Sequence, residues 1–530
     1  MSATGSTSGA PLEVAVIGAG LAGVTTALLL RRLRPEVQVV VIEEAELWPS
    51  AGHSEPLEGP ASLFFQLALG AADLLAREHL PRHGEHFWVG GGEASGLAEL
   101  HELDADEPGS CPAYHVDASR LAAALGERAR REGVAFRPGT RVEQVEPRRP
   151  ASRLVVDGPE GREELHARWV VDASGPRALL ATSLELVRPL HAPELQVVTC
   201  NWTDLAPLDE HGSSSRPTAS TRSRALATHE FPGPGWRVRV VPHAAGGSSV
   251  ELVVEQERWR QRLGERSVLE AYSSFVRQLP GLRELLQGAR VDPESLHARR
   301  HADRRPERRG GSGWFLVGEA ALPPLGVFGG PLEALARTAW NAAEVIAADL
   351  GGRLDGAELH ERLQRYDLRE RQLDAADAHA LRAASLEVTA DPQLLTAAYG
   401  LWRAMRAREV ARIGADPARL SEVSWHTLWQ HSCVAGLHGR LQEVAARRVR
   451  EERAGSSGPA RRVRFGPGGG TLRPLLVAAR AWLALEHAEL REALRPVEGD
   501  PHHPLGPELA VRAEALLQRT SGGTAAPDME

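Results

Sequence analysis

The chain has 530 residues, of which 42% are hydrophobic and 25% are charged. This composition is that of a globular protein and excludes disordered, collagen-like and fibrous classes. The length predicts two to four domains, since a domain takes roughly 150 residues. Its 62 basic and 70 acidic residues give a net charge of −8, which provides no basis for expecting a nucleic-acid partner. All the basic residues are arginine, so no chemistry in this protein can use a lysine amine.

The cysteine spacing indicates a reducing compartment, and the apolar segments bear on targeting and membrane association. Cys111, Cys200 and Cys433 are far apart in the sequence, which argues against a disulfide framework or a zinc site built from paired cysteines. The first 12 residues have neither the basic region nor the apolar region of a signal peptide. No apolar run approaches the roughly 20 residues that span a bilayer. We therefore expect a cytoplasmic protein with no metal and no membrane association.

The N-terminal region has the pattern of a dinucleotide-binding unit. An apolar run at 14–17 is followed by a glycine turn, a helix-like stretch at 24–33, a second apolar run at 37–42 and an acidic residue. The glycines are Gly18, Gly20 and Gly23, and the acidic residue is Glu43. Glycines allow close approach of a pyrophosphate, a helix N-terminus offers N–H groups to it, and the carboxylate accepts from a ribose hydroxyl.

Further elements follow in chain order. Residues 120–132 predict a helix with Asp117 as its N-cap, and residues 153–156 and 165–171 predict a hairpin that ends in Asp172-Ala173-Ser174-Gly175. Alternating strands are expected over about 190–300, followed by a buried strand at 314–320 and a long helix at 332–350. The remainder has helical periodicity, interrupted by a Gly/Pro/Ser/Arg-rich segment at 454–471.

Three segments place a glycine-rich or acidic turn after an apolar strand, at 14–23, 168–175 and 314–320. In a doubly wound sheet such strand ends form the crevice that binds a dinucleotide. The combination of GxGxxG, Asp-Ala-Ser-Gly and Leu-Val-Gly-Glu-Ala-Ala resembles the FAD-dependent hydroxylase-like oxidoreductases. A nicotinamide dehydrogenase would need only the first motif, so the resemblance implies FAD as the cofactor.

Within that superfamily, residues 12–350 look most like the flavin-dependent halogenases, the group that includes the tryptophan halogenases. The segments that carry the resemblance are Tyr114-His115-Val116-Asp117-Ala118, Trp169-Val170-Val171-Asp172-Ala173-Ser174-Gly175, Gly52-His53-Ser54 and Gly235-Trp236-Arg237-Val238-Arg239-Val240-Val241-Pro242. The last resembles the family's W-x-W-x-I-P strand, of which only the first Trp and the Pro are kept.

Three departures from the halogenase pattern favour a different reaction. Arg82 occupies the place of the family's essential lysine, and a guanidinium neither supplies a nucleophilic amine nor readily gives up a proton. The stretch 327–331 lacks the hydroxyl of the family's halide site, and Pro331 has no N–H. Phe328 stands where the tryptophan halogenases have their catalytic glutamate.

The predicted FAD-binding residues remain in place despite these departures. Glu319 replaces the more usual aspartate as an acceptor for the ribityl chain, and Gly326, Gly329 and Gly330 would let backbone approach the flavin ring. The alternative for these three glycines is that they only end a strand before the 332–350 helix. The cofactor-binding residues predicted are Gly18, Gly20, Gly23, Glu43, Asp172, Gly175, Glu319, Gly329 and Gly330.

Arg82, His83 and His86 are the candidate catalytic residues, because histidine titrates near neutral pH and this segment would line the substrate side of the flavin. The alternative is a polar loop leading into a buried strand. The arginine-rich run 297–309 is a solvated loop or a phosphate contact, to FAD or to the phosphopantetheine arm of a carrier protein. Trp425 and Trp429 are four residues apart and are expected to pack in a helical core.

We therefore predict an α/β protein with a Rossmann-like FAD-binding domain (11–190 and 297–352), an inserted, mostly β substrate domain (191–296) and a helical C-terminal domain (353–530). The expected function is oxidation or hydroxylation of a small organic molecule, aromatic or tethered to a carrier protein, in secondary metabolism. A halogenase and a non-catalytic, flavin-binding pathway scaffold are the alternatives. With no second dinucleotide motif, the resemblance implies that a separate flavin reductase supplies reduced FAD.

Overall fold

A computed structural model of the chain describes residues 11–45, 52–90, 95–105, 112–189, 194–210, 223–301, 304–321 and 331–368, together with residues 370, 395 and 410. Several predictions lie outside these residues. They concern the glycines at 326, 329 and 330, the tryptophans at 425 and 429, and the C-terminal helical domain beyond residue 370.

The strands of the described regions are β1 (Leu12–Ile17), β2 (Val39–Ile42), β3 (Ser54–Leu57), β4 (Leu80–Pro81), β5 (Glu85–Val89), β6 (His101–Ala105), β7 (Tyr114–Asp117), β8 (Ala135–Arg137), β9 (Arg141–Glu146), β10 (Ser152–Gly158), β11 (Gly161–Asp172), β12 (Val187–Pro189), β13 (Leu195–Thr203), β14 (Thr228–Gly233), β15 (Trp236–Pro242), β16 (Ser248–Glu255), β17 (Arg290–His301), β18 (Arg304–Pro306), β19 (Gly310–Gly311) and β20 (Trp314–Leu316). The α-helices are α1 (Leu21–Leu33), α2 (Gly59–Leu63), α3 (Ala72–Glu78), α4 (Ala118–Arg131), α5 (Leu179–Ser183), α6 (Gln256–Leu263), α7 (Val268–Val276), α8 (Leu282–Leu285) and α9 (Pro331–Leu350), and residues 356–368 are also helical.

The first sheet confirms the Rossmann-like prediction. Its strand order is β19-β20-β11-β1-β2-β8, and β10 and β9 extend β11 as an antiparallel meander. Strands β20, β11, β1, β2 and β8 are parallel, so their carboxyl ends lie at one edge. The Val, Ile and Ala side chains of these strands alternate between two apolar layers, one of which packs against α1, α4 and α9. The N-cap predicted for the helix after β7 is also confirmed, because the Asp117 carboxylate accepts from the Arg120 N–H at 2.9 Å.

The second sheet has the order β17-β13-β16-β15-β14-β5-β6. One face packs against α6, α7 and α8 through an apolar cluster that includes Trp202 and Phe231. Strand β5 pairs parallel to β14, so a segment from the first part of the chain completes this sheet. The sheet therefore takes strands from outside 191–296, namely β5, β6 and the last residues of β17, while the predicted domain boundaries stay a prediction.

A small sheet, β3-β7-β4, lies between the two large ones. The Ser54 N–H donates to Ser249 Oγ at 2.8 Å, and Ser54 Oγ donates to the Pro242 carbonyl at 2.8 Å. These bonds join β3 to the face of the second sheet that is turned away from the apolar cluster.

Within the described residues no single helix is long and apolar enough to cross a membrane, and only the bent pair Gly59–Ala68 and Ala72–Glu78 passes that test together.

Candidate functional site: the crevice at the carboxyl edge of the first sheet

The three glycines of the first turn have different structural roles. Gly18 has a φ of +101°, and a Cβ at this position would lie 2.5 Å from the Ala173 carbonyl oxygen. A Cβ on Gly23 would lie 1.9 Å from the Gly18 oxygen, so this glycine allows α1 to pack against the turn. Among the residues that the structure describes, a Cβ on Gly20 would meet no atom within 4 Å. The space next to Gly20 is therefore open for a ligand, as binding of a pyrophosphate requires.

The N-terminus of α1 faces the same space. Gly20 is its N-cap and provides no side-chain hydrogen bond, and the first turn has no acidic residue. A helix N-terminus of this kind favours an anion, because N–H groups and the positive end of the helix dipole are directed at it. Glu43 follows β2, and its carboxylate accepts from the Ala19 N–H at 2.6 Å and from the Ala45 N–H at 3.0 Å. It thus lies beside the glycine turn, where a ribose hydroxyl would be within its reach.

The buried carboxylate of Asp172 fixes the second turn through hydrogen bonds. Its side chain is fully buried, and its two oxygens accept from the Ser174 N–H at 2.9 Å and the Leu180 N–H at 2.7 Å. Burial raises the pKa of this carboxyl, although these hydrogen bonds oppose the shift. Both oxygens thus bind backbone N–H groups, and Asp172 fixes the turn that presents Gly175, while its role in cofactor binding stays a prediction.

The second and third FAD motifs meet at Glu319. A Cβ on Gly175, which has a φ of +64°, would lie 3.9 Å from Glu319 Oε2. Glu319 belongs to a 3-10 turn after β20, and its Oε1 lies 3.4 Å from Nη1 of Arg299 in β17. The Gly318 N–H donates to Thr338 Oγ1 of α9 at 2.9 Å, which fixes this turn to the helix. The structure thus brings together the predicted residues Gly175 and Glu319 next to the second sheet.

The face of the second sheet that is turned toward this crevice carries a row of buried and half-buried charges. Glu230 of β14 pairs with Arg239 and, at 3.7 Å, with Arg237, both of β15. Arg237 lies 3.4 Å from Glu251 of β16, which is also the cross-strand neighbour of Arg239. We call the following set the charged row: Glu55, Glu58, Arg82, Glu85, Glu230, Arg237, Arg239, Glu251, Arg299 and Glu319.

Arg82 is buried at one end of the charged row and is only 4% exposed. Its Nη1 lies 2.5 Å from Glu58 Oε2, its Nη2 lies 3.9 Å from Glu85 Oε2, and its Nε donates to Thr228 Oγ1 at 2.8 Å. The same hydroxyl lies 3.1 Å from Nε2 of His115. Arg82 thus binds groups of the protein itself, and its predicted catalytic role is not apparent from these contacts.

His83 and His86 are separated by the geometry of the strand. The His83 N–H donates to the Leu226 carbonyl at 2.8 Å, just before β5 begins. His86 lies in β5 next to Glu85, and successive side chains of a strand point to opposite faces. The side chains of His86 and Glu85 therefore lie on opposite faces of the second sheet, and the predicted catalytic role of His86 stays a prediction. Its ring packs with that of His229, 5.3 Å away, on the face that carries the apolar cluster.

The rings of His86 and His229 are both held by buried polar contacts. His86 Nδ1 lies 2.7 Å from Glu102 Oε1, and Glu102 also accepts two hydrogen bonds from Arg224. Burial alone would raise the pKa of Glu102, but the hydrogen bonds from His86 and Arg224 lower it to about 2. The pKa of His229 is lowered to about 3 by burial and by His86. His229 is therefore neutral, with its ring nitrogens bonded to the Trp88 indole N–H and to the Arg224 carbonyl.

Two carboxyls of the charged row titrate near neutral pH. Burial raises the pKa of Glu85 to about 7 against the charge of Arg82, and it raises the pKa of Glu55 to about 7 with help from Glu319. For Glu251, burial is outweighed by Arg239 and Arg237, and the pKa falls. The charged row has six carboxyl groups and four guanidinium groups, so full ionisation would leave two negative charges unbalanced. Two carboxyls that retain protons near pH 7 agree with this balance.

The sequence interpretation missed most of the charged row. Arg237 and Arg239 alternate within an apolar strand, which is the pattern of a sheet with one polar face. That pattern was available, and it predicts that both guanidinium groups point the same way. Glu55, Glu58 and Glu230 come from separate elements, and only the tertiary structure brings them to this face.

The comparisons with known proteins agree with a crevice that binds FAD. A family model described as "FAD binding domain" matches residues 11–371. No curated protein sequence shows significant similarity to the chain. The solved structure of halogenase PltM is 13% identical, with a TM-score of 0.69 over 90% of this chain and 98% of that one. The flavin-dependent brominase Bmp2 is 16% identical, with a TM-score of 0.60 over 84% and 99%.

A flavoprotein/dehydrogenase from Cytophaga hutchinsonii has the same fold, with 15% identity and a TM-score of 0.60 over 81% of this chain and 99% of that one. At these identities the likeness shows the fold. The family match covers more than half of the chain, and the open space at Gly20, the uncapped α1 N-terminus and the Gly175–Glu319 contact fit its cofactor. FAD is the cofactor of this protein, and the chain belongs to the FAD binding domain family.

Proposed function

We propose that this protein is an FAD-dependent monooxygenase or oxidase that acts on a small organic molecule of secondary metabolism, aromatic or tethered to a carrier protein. The single observation that carries the choice against halogenation is the state of Arg82. This residue occupies the position of the halogenase lysine in the sequence resemblance. Its guanidinium is buried between Glu58, Glu85 and Thr228.

The chemistry of the side chain supports this choice. A halogenase lysine acts on hypohalous acid with a compact ammonium group that changes its protonation readily. Arginine remains charged at all physiological pH values, and Arg82 is only 4% exposed. Because the chain contains no lysine at all, no neighbouring lysine takes over this role.

The residues of the crevice have defined tasks in an oxidation. Bound FAD supplies the redox chemistry and the reaction with oxygen. Gly18, Gly20 and the N-terminus of α1 bind its pyrophosphate, while Glu43 and Glu319 accept from its sugar and ribityl hydroxyls. The charged row forms the polar wall opposite, and its paired charges keep a fixed arrangement around a substrate. The substrate contacts the edge of the charged row rather than the apolar cluster on the other face of the second sheet.

Halogenation is the second candidate, because PltM and Bmp2 share the fold over most of this chain. PltM has also been solved in complex with phloroglucinol and FAD, so a protein of this fold binds a phenol. A phenol is for the same reason a reasonable first substrate for our protein.

The test uses the full-length protein with FAD, a flavin reductase with NADH, oxygen and phloroglucinol, in halide-free buffer and in buffer with bromide or chloride. Product masses are compared between the buffers. We expect gain of an oxygen atom or loss of two hydrogen atoms, in equal yield with and without halide. Arg82→Lys should not create a halide-dependent product. Substitution of hydrogen by bromine or chlorine in the wild-type product would overturn the proposal in favour of a halogenase.

A panel of phenols, indoles and carrier-tethered aromatic acids extends the same assay if phloroglucinol is not converted. Flavin reoxidation is followed in parallel by stopped-flow absorbance after the photoreduced protein is mixed with oxygen. A purified protein that is colourless and does not take up added FAD would contradict the enzyme function and support a scaffold. A dependence of product formation on a separate reductase would support the proposed partner.

A further inference from the structure

A cavity of about 730 Å³ lies at the amino edge of the first sheet, whereas the FAD crevice lies at the carboxyl edge. Its lining includes the turn 147–149, which leads into β10 at Ser152. Ser152 pairs with Ala167 of β11, and Ala167 pairs with Leu12, the first residue of β1. The six residues of β1 span about 17 Å between the two edges, so the cavity is separate from the glycine turn. Its volume is typical of pockets that bind small organic molecules.

Contacts within the protein hold the walls of this cavity together. The walls are formed by residues of 147–149, of 308–314 and of the helix at 356–368. A Cβ on Gly313 would lie 3.5 Å from the Arg148 carbonyl oxygen, so the first two segments lie against each other. The Arg309 N–H donates to Asp367 Oδ1 at 2.8 Å, which joins the second segment to the helix. The cavity is therefore a feature of the folded chain.

The lining combines a buried apolar surface with exposed cations. Trp314, Leu359 and Leu363 line the cavity and are buried. Arg148 and Arg308 line the same cavity and are exposed. Pockets for organic ligands generally have a largely apolar lining with a few polar groups that fix the orientation of the ligand. This arrangement therefore suits a molecule with an apolar body and an anionic group.

The charges of the lining favour an anion, although the chain as a whole has a net charge of −8. As far as the structure describes it, the lining has three guanidinium groups and one carboxylate, that of Asp367. Arg308 belongs to the arginine-rich run 297–309. Its Nε lies 3.6 Å from Asp367 Oδ2, and it donates no hydrogen bond within the described residues. Arg148 donates from Nε to the Ala151 carbonyl at 3.3 Å and has no carboxylate within 4 Å among those residues.

Arg149, the third guanidinium of the lining, is already paired. Its Nη1 lies 3.0 Å from Asp349 Oδ2, and the same oxygen accepts from the Trp169 indole N–H at 2.8 Å. The guanidinium also lies 4.5 Å from the centre of the Trp169 ring. Arg149 thus fixes the wall of the cavity to the end of α9, and Arg148 and Arg308 are the cations that are left to bind a ligand.

We propose that this cavity binds a small organic phosphate. Arg148 and Arg308 donate to the phosphate oxygens, and the apolar part of the molecule packs against the buried side chains of Trp314, Leu359 and Leu363. A phosphate monoester carries about two negative charges and three acceptor oxygens, which match two guanidinium groups from different segments. A carboxylate has one charge and two acceptor oxygens, so it matches them less well. The proposal does not depend on the reaction at the flavin.

The test is calorimetric titration of the full-length protein, saturated with oxidised FAD, in the absence of a reductant. Saturating FAD keeps the probes out of the cofactor site, and without a reductant no turnover occurs. We expect saturable binding of 1-naphthyl phosphate that weakens as NaCl is added. Inorganic phosphate lacks the apolar body and should bind at least about tenfold more weakly. The anionic group of 1-naphthoate is a carboxylate, so this probe should also bind more weakly.

Arg148→Gln and Arg308→Gln should each weaken the binding of 1-naphthyl phosphate about tenfold or more, since each removes a charged donor. Arg162→Gln is the matched control. Arg162 is also exposed, but it lies at the far end of the hairpin of β10 and β11, with its Nη2 3.0 Å from Glu143 Oε2. This variant should bind the probe as the wild type does. All three variants should keep the wild-type affinity for FAD in fluorescence titrations, which shows that they fold.

A wild type without saturable binding of 1-naphthyl phosphate would overturn the proposal. Unchanged binding in both cavity variants would place the probe elsewhere, and an equal loss in Arg162→Gln would indicate attraction by surface charge in general. Tighter binding of 1-naphthoate would contradict the choice of a phosphate, and inorganic phosphate that binds as tightly as 1-naphthyl phosphate would leave the apolar lining without a role. None of these measurements requires turnover, so failure here is distinct from failure of the proposed function.

Discussion

The two walls of the crevice are built in different ways. The FAD wall, at the carboxyl edge of the first sheet, is formed largely by backbone: Gly18, Gly20, Gly23 and the N-terminus of α1. The opposite wall, on the polar face of the second sheet, is formed by side-chain charges that neutralise one another. The first wall presents features that suit any dinucleotide, while the second consists of side chains whose charges depend on one another.

The difference has an energetic consequence. Backbone N–H groups at a helix N-terminus are unpaired by geometry and carry no net charge, so exposing them to a ligand adds no desolvation of ions. Buried carboxylates and guanidinium groups lose hydration, and each depends on its partner to offset that loss. Substitutions on the FAD wall should therefore act through steric fit, and those on the charged row through charge balance and pH.

The largest loss of stability is expected from a substitution on the FAD wall, at Gly23. In Gly23→Ala the new methyl group would lie 1.9 Å from the Gly18 oxygen, which forces α1 away from the turn. We expect the free energy of unfolding of the apoprotein to fall by more than about 3 kcal/mol. Urea titration followed by tryptophan fluorescence measures this change.

Gly20→Ala is the matched control, because its methyl group would meet no protein atom within 4 Å. The apoprotein should lose at most about 1 kcal/mol, since alanine is a poorer N-cap than glycine. FAD binding should weaken at least about tenfold, or ~1.4 kcal/mol, by fluorescence titration. Equal stability and equal FAD affinity in the two variants would show that the roles of these glycines are not separate.

The next loss of stability is expected from a substitution in the charged row. Arg82→Met removes the partner of Glu58 and Glu85 while keeping much of the apolar volume. Loss of one member of a buried ion pair is expected to destabilise the protein by about 3 to 5 kcal/mol at pH 8. The loss should be smaller at pH 5, where Glu85 is protonated, and urea titration at both pH values measures the difference.

Arg82→Lys keeps the charge but not the planar fork that reaches two carboxylates and Thr228. Its cost should be intermediate, about 1 to 2 kcal/mol. If the methionine variant proves as stable as the wild type at pH 8, Arg82 does not compensate these carboxylates, and the charge-balance account of this wall is incorrect.

The smallest effect is expected from Glu85, and it has the opposite sign. Its pKa is about 7 in the folded protein and about 4.3 in an unfolded chain, so folding favours the protonated form. The wild type should therefore lose stability from this group as the pH rises from about 4.5 through 7. Glu85→Gln should lack this loss, so it should be more stable than the wild type at pH 8 and similar at pH 4.5.

Thermal unfolding across this pH range, with wild type and variant in the same buffers, measures the Glu85 contribution. Glu55 titrates in both proteins and cancels in the difference. A wild-type advantage that grows with pH would mean that Glu85 is ionised in the folded state and stabilises it through Arg82.

The sequence predicted the strand, turn and helix of the FAD wall because the signals for these elements are local. A glycine turn between a strand and a helix, and an N-cap such as Asp117, depend on residues a few positions apart. The fold class followed from three such strand ends and is confirmed. Asp172 was placed correctly in its turn, but only the coordinates show that both of its oxygens bind backbone N–H groups.

The charged row could not be predicted to the same degree, since it depends on strand register. A shift of one residue moves a side chain to the opposite face of a sheet, and for this reason His86 and Glu85 have different surroundings. The surroundings of Glu55 had no sequence signal, because the charges near it lie on β15, β16, β17 and the turn after β20.

The parallel pairing of β5 with β14 has a consequence for synthesis of the protein. Glu85 pairs with Thr228, so β5 leaves the ribosome well before its partner exists. At about 5 to 20 residues per second the delay is roughly 7 to 30 s. During this time the strand that contains Phe87 and Trp88, both buried in the final structure, can pair only with β6 and not with the rest of its sheet. A nascent chain that is arrested before residue 228 should therefore bind chaperones at this strand and release them once β14 has emerged.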